Sequence, residues 1–423
     1  MKVSVLMSMK TGIFKTVLSC AIVLIPLLAK AQKFISIEEY RRSSLYSLAV
    51  VRPEYPYGEE IGDAFLSIPI PEKFNDHNLN RRILHSVEHK KNRKEPVEIT
   101  YFLEKNAIGR RLMAKWFDRD PESGAFDMSL IHQRGYYDAD FFDTEIAKMT
   151  KRGTAILADA GQDLIKNTFV IVNEFYYVDK ESRASVARDW FNAIAELASI
   201  SDHAVAQAIS ATSHLGAAIS EDITGFRVVV ISHLYQLDYS ENMLNTFYEH
   251  YYFDSANINK RKKAEFDNEM SLFKLKYIGT SIVDSQKTSS KGVNLDTPEE
   301  MITKVCTRAL DKSIVELQKK YEVFRVKTPL FSTDSLITAK IGLKEGVSEK
   351  SRFEVLERFL DENGMTSYRR IGVIEPVKGQ IWDNRFMAVE EDAENSMLGA
   401  TTFRKISGGR FSPGMLIREI KFN

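Results

Sequence analysis

Hydrophobic positions in the middle of the chain repeat at helical spacing and then switch to continuous apolar runs. Ile146, Met149, Gly153, Leu157, Ala160 and Leu164 recur at steps of three and four, which predicts one long helix over Thr144–Lys166. Gly153 and Gly161 lower its propensity but allow close packing on a sheet, and Asn167 can close it. Phe169-Val-Ile-Val172 then reads as a buried strand running to Val178. A helix over Lys180–Ala198 and a small-residue segment over Asp202–His214 follow. Next come a β-rich strand over Gly225–Leu237, a helix over Glu241–Phe253 and a strand over Leu272–Val283. Thr297-Pro298-Glu299-Glu300 is the sharpest local signal. Threonine caps, proline suits the first helical position, and Glu300 completes a capping box. Met301, Val305, Ala309, Leu317 and Tyr321 then form a helix stripe, with Val323–Lys327 as the next strand. The helix-then-strand unit thus occurs twice, at Thr144–Val172 and Thr297–Val326, and predicts an α/β sheet.

The flanks have other patterns. Gln32–Pro96 reads as an irregular arm, punctuated by Pro53, Pro56, Pro69 and Pro71, with short extended pieces such as Ala64–Ile70. Arg111–Phe117 and Phe126–Ile131 flank a turn-rich stretch and read as a hairpin. Past Pro329 the strands shorten: Ala339–Leu343, Arg352–Leu360, Ser367–Val377 and Leu416–Phe422, with Asn363-Gly364 as a tight-turn signal. The expected fold class is α+β. An α/β sheet domain with packed helices, residues 97–330, follows the arm of residues 32–96. A small β-barrel or β-sandwich, residues 331–423, ends the chain.

Composition adds an address. Met1–Ala31 reads as a signal peptide: Lys2, Lys10 and Lys15 give a positive start, Val17–Leu28 an apolar stretch, and Ala29-Lys30-Ala31 a cleavage site. Cys20 as a lipid-anchored residue is the competing reading, but the apolar run continues past it. Cleavage leaves 54 basic and 58 acidic residues, a net of −4, and a single cysteine, Cys306, on an apolar helix stripe. We read Cys306 as a core residue. No later stretch approaches the roughly 18 apolar residues of a membrane span. The expected location is the periplasm or the outer-membrane periphery.

Three strings resemble catalytic or metal motifs. His85-Ser-Val-Glu-His89 matches a zinc-peptidase pattern in which two histidines on one helix face hold the metal. A solvated, helix-breaking run ends it at Pro96, so we read a polar surface segment. Asp118-Arg-Asp120-Pro-Glu122-Ser-Gly124 starts like a calcium loop, but Ser123 and Ser129 stand where the turn glycine and the bidentate glutamate belong. Ser271-Leu-Phe-Lys274 matches S-x-x-K without its partner motifs, and Ser271 precedes a strand. His233, interrupting a strand, and His250, among aromatics, read as structural. No catalytic, cofactor-binding or metal residue is therefore assigned, and no cofactor is expected.

Two basic patches are candidates for contact with anionic lipid or polysaccharide: Arg81, Arg82, Lys90, Lys91, Arg93 and Lys94, and Lys260, Arg261, Lys262 and Lys263. Net negative charge and export argue against nucleic acid. The strings Gly153-Thr-Ala-Ile-Leu-Ala-Asp-Ala-Gly161, Asn167-Thr-Phe-Val-Ile-Val-Asn173, Phe273-Lys-Leu-Lys-Tyr-Ile-Gly279 and Ala339-Lys-Ile-Gly-Leu-Lys-Glu-Gly346 resemble exported proteins of unknown function from Bacteroides-like bacteria. More weakly, Gly342–Val355 is similar to the C-terminal β-domain of FlgT-like periplasmic proteins, and the helix-then-Asn-Thr-Phe-Val-Ile-Val unit resembles the α/β modules of curli-assembly proteins and TolB N-terminal domains. The resemblance implies a scaffold or assembly role and carries no functional residue. The expectation is a non-catalytic envelope binding or scaffold protein working with envelope proteins or an anionic surface. The alternative is an envelope hydrolase acting on cell-wall or glycan substrates, whose catalytic residues are dispersed in sequence.

Overall fold

The computed structural model describes residues 43–53, 57–71, 73–85, 96–131, 164–177, 224–289, 297–325, 327–333, 335–360, 366–385 and 397–420. The leader at Met1–Ala31 lies outside them, as do the helix at Lys180–Ala198 and the segment at Asp202–His214. Of the helix over Thr144–Lys166, only residues 164–166 are described, and they are helical.

The protein is α+β, with a mixed sheet and a closed barrel that both belong to one compact unit, Arg41–Asn423. The sheet is built on β1 (Ser43–Val51), buried along its whole length. β2 (Phe74–Asp76), β3 (Ile83–His85) and β4 (Thr168–Tyr177) all run parallel to β1. β5 (Thr224–Leu237) and β6 (Leu275–Ser289) continue outward from β4 in antiparallel pairs. A strand buried on both faces is a continuous apolar run, which is what Phe169–Val172 announced.

Opposite faces of the sheet carry separate cores. On one, Tyr46, Leu48, Val50, Val170, Val172 and Tyr235 pack against α2 (Val97–Lys105) and α3 (Ile108–Trp116). On the other, Ala49, Phe175, Val228 and Val230 meet α1 (Gly58–Ser67) and α6 (Pro298–Lys320). Two further helices, α4 (Glu241–Thr246), extended by a π-turn at Phe247–Tyr251, and α5 (Lys260–Asn268), close the first core between β5 and β6. Thr297 and Glu300 form the expected reciprocal capping box at the start of α6.

The barrel follows. β7 (Thr328–Ser332), β8 (Ile337–Ala339), β9 (Phe353–Leu360), β10 (Thr366–Pro376), β11 (Thr401–Gly408) and β12 (Leu416–Glu419) close in the order β10-β11-β8-β7-β12-β9, every pair antiparallel. Leu330, Ala339, Phe353, Val355, Ile374, Phe403 and Ile417 fill it. The C-terminal part is thus a barrel and not a sandwich.

Several elements differ from the sequence reading. Ser43–Val51, placed in an irregular arm, is an interior strand that pairs with β2, β3 and β4. Ala64–Ile70, read as extended, falls largely in α1, where Ile61, Ala64 and Phe65 form a short buried stripe between bracketing prolines. Arg111–Phe117 is not a hairpin strand: Ile108, Leu112 and Trp116 lie one helical turn apart and all are buried in α3. Val323–Lys327 is not a sheet strand. A 3-10 turn at Glu322–Phe324 buries Phe324 against Phe74 and Phe169, and the chain then enters the barrel at β7. The second helix-then-strand unit therefore leaves the sheet, and the boundary near Pro329 falls inside β7.

Candidate functional site

Parallel strands set the first geometric clue. From β1 the chain crosses by α1 on one face to β2, and reaches β4 past α2 and α3 on the other face. The direction of winding reverses between β1 and β4. A crevice outside the carboxyl ends of strands at such a reversal is where open α/β sheets bind ligands.

Charged side chains gather there. Arg52 follows the last residue of β1, and Glu174 lies opposite Val50 on β4. Arg52 Nη2 reaches Glu174 Oε2 at 2.6 Å, and Tyr176 donates to the same oxygen at 3.2 Å. His233 on β5 bonds Glu174 Oε1 through Nε2 at 2.9 Å, and its Nδ1 meets Thr280 Oγ1 on β6 at 2.8 Å. Tyr277 extends the chain to Thr280 at 2.6 Å. Arg52, Glu174 and His233 are all buried. Burial opposes the charge on Arg52, but Tyr176 and Glu174 outweigh it and hold the guanidinium above its ordinary value. Burial, then Glu174, push the Tyr176 hydroxyl up, so it remains a donor.

Both ring nitrogens of His233 are engaged by protein groups. A carboxylate can only accept, so Nε2 carries a proton toward Glu174, and Nδ1 is turned to a hydroxyl. The arrangement orients a histidine and compensates a buried charge. It presents no ring nitrogen to a substrate.

The reverse face carries a neutral counterpart. Ser232 Oγ donates to Asn173 Oδ1 at 2.6 Å, and Asn173 Nδ2 donates to Leu48 O at 3.0 Å and Ser47 Oγ at 3.2 Å. The adjoining cavity, lined by Ser47, Asn173, Arg82 and Asp311 among others, measures about 20 Å³, room for about one water. A larger hollow of about 240 Å³ lies between the α2–α3 turn and the approach to β6, with Glu104, Arg110, Glu269 and Lys274 at its edge. Glu269 is occupied: although burial opposes it, bonds from Ser271, Tyr251 and Leu272 hold its carboxyl down at about 2.

The motifs resolve accordingly. Ser271 of S-x-x-K spends its hydroxyl on Glu269 at 2.8 Å, in the turn before β6. Asp120 of the calcium-like string accepts both the backbone N–H and the hydroxyl of Ser123, an ordinary turn. His85 ends β3, exposed, and residues 86–89 lie outside the described region. Among the described residues no three His, Cys, Asp or Glu side chains are grouped to hold a metal. Cys306 is buried in the core beneath α6, and burial pushes its thiol up to about 12.

Basic candidates fare unevenly. Arg82 bonds the carbonyls of Ser47, Leu66 and Ile68 and lies 4.7 Å over the Phe65 ring. Lys262 Nζ donates to the carbonyls of Glu249 and Tyr252. Arg261 pairs with Glu265 and Lys263 with Asp267 along α5. Arg81 and Lys260 are exposed; Lys90, Lys91, Arg93 and Lys94 lie outside the described residues. Sequence reasoning missed Arg52 and Glu174. Their signal was Asn173-Glu174 inside an otherwise apolar strand, since a carboxylate buried there requires a cation. No protein-family model matches the chain, and no curated protein matches it either.

Proposed function

We propose that this is a non-catalytic binding or scaffold protein of the cell envelope that docks through its C-terminal barrel. The supporting observation is the barrel surface. Phe331, Leu336, Phe359, Met397, Leu398 and Ile406 are exposed on it, half of the exposed large apolar side chains among the described residues. Met397 is 84% exposed. Scattered single apolar residues are ordinary, but their concentration on one small module suits a partner surface. The leader-like Met1–Ala31 and the resemblance to exported proteins support the envelope setting.

The rival reading is an envelope hydrolase, favoured by the position of Glu174–His233 at the carboxyl ends of the parallel strands. One experiment separates the two: a photo-crosslinking side chain placed at Phe331 or Met397 in the native host. A discrete adduct with an envelope component, absent when the probe sits at Ile258, supports docking. Absence of any adduct, together with turnover of a cell-wall glycan that is lost in His233→Ala, overturns it.

A further inference from the structure

Ion pairing engages five arginines of the barrel. Arg369 pairs with Glu357, and Arg404 and Arg352 with Glu375. Arg418 holds Glu354 and Glu322, and Arg385 holds Asp383. Three cations outside these pairs lie toward one end of the barrel. Arg370 and Arg410 are exposed and meet no carboxylate among the described residues, and Lys405 Nζ bonds only the carbonyl of Gly409, at 2.9 Å.

The strands bring these three together. β11 pairs with β8 only over Thr401–Phe403, so Arg404–Gly408 runs past the last β8 rung, held by β10 alone. All five of those residues are exposed, Ile406 included. Gly408 lies opposite Gly372 with φ +111°, and a β-carbon there would collide with the Ile371 carbonyl, so the two backbones touch directly. Arg370 is two residues before Gly372, and Arg410 is two residues after Gly408. Lys405 lies 5.5 Å over the Phe411 ring, against which Gly372 packs. An exposed isoleucine thus lies on the same stretch of paired strands as three cations that have no carboxylate partner among the described residues.

We propose that this flared end of the barrel, Arg370, Lys405, Arg410 and Ile406, rests on the surface of an anionic lipid bilayer. Long cationic side chains around an exposed aliphatic residue match a field of headgroups. The contact differs from the basic patch at residues 260–263, where Arg261 and Lys263 pair with Glu265 and Asp267. It rests on reading the barrel as the docking module and names the partner of that module.

The test is co-sedimentation of the purified protein with vesicles of phosphatidylcholine, alone or mixed with phosphatidylglycerol. Binding is expected only to the mixed vesicles and should weaken with salt, as the screening length shrinks from about 10 Å at 0.1 M to about 3 Å at 1 M. Each of Arg370→Gln, Lys405→Gln and Arg410→Gln should lower partitioning about fivefold, and all three together about a hundredfold, with thermal unfolding unchanged. Lys260→Gln with Arg261→Gln should leave partitioning intact. Equal binding to neutral vesicles, loss of binding in the Lys260/Arg261 variant, or retention by polyglutamate but not by vesicles each overturns the proposal. Crosslinking from Phe331 that persists without vesicle binding would end the lipid contact while leaving the scaffold reading standing.

Discussion

Among the described residues Glu174 accepts from Arg52, Tyr176 and His233, and its removal takes a charged partner away from a buried guanidinium. A buried charge that loses its partner is far more costly than a buried pair that was never built. Glu174→Ala is therefore expected to lose ~3–5 kcal/mol of stability, read as a lower midpoint in denaturant unfolding. Replacing the trio with apolar residues of similar volume should restore most of it. An unchanged midpoint for Glu174→Ala would show that the cluster does not support the fold. His233 announced itself in the sequence by interrupting a strand. Arg52 did not, because it follows a strand hidden in a proline-rich stretch, and its partner lies 122 residues away.

β6 is an edge strand, an open template for another chain. The last turns of α6 block it. Tyr321 accepts from the Thr280 N–H at 3.0 Å and donates to the Thr280 carbonyl at 3.3 Å. Lys320 reaches the same carbonyl, and Lys312 reaches that of Asp284. The Tyr321 ring occupies the space a β-carbon at Gly279 would need, so only glycine fits there. Tyr321→Phe should unblock Thr280, cost ~1–3 kcal/mol, and produce concentration-dependent self-association in light scattering. A monomeric variant of wild-type stability would refute this protective role. The capping box of α6 was legible because its chemistry is local. α1 and α3 were not, being nine or ten residues long, where a stripe of three or four apolar positions also fits a hairpin.

Sheet and barrel meet along α6. Val315 packs against Gly346, Lys73 Nζ bonds Gln318 at 3.2 Å, and Asp311 lies among Lys344, Lys73 and Glu345. Burial raises the Asp311 carboxyl to about 6, against the pull of the two lysines. Its folded pKa exceeds its unfolded one, so the native state holds the proton more tightly. That contribution is complete below the unfolded value and is lost as pH rises through about 6. Asp311→Asn, neutral at every pH, should therefore stabilise the protein by on the order of 1–3 kcal/mol near pH 8, an advantage that vanishes below about pH 3. A difference in melting temperature that does not vary with pH would remove Asp311 from the junction's energetics.

Periodicity and turn chemistry alone determined the α+β class, the buried strand at Phe169, the capped helix after Thr297 and the β-rich C-terminal part, because each depends on neighbours within a few residues. Only the tertiary structure decided that Ser43–Val51 lies inside the sheet, that the barrel closes, and which cations have no carboxylate partner among the described residues. Those outcomes depend on pairings between distant segments: a strand's place is set by what covers both its faces, and a charge's meaning by whether an acid lies within reach.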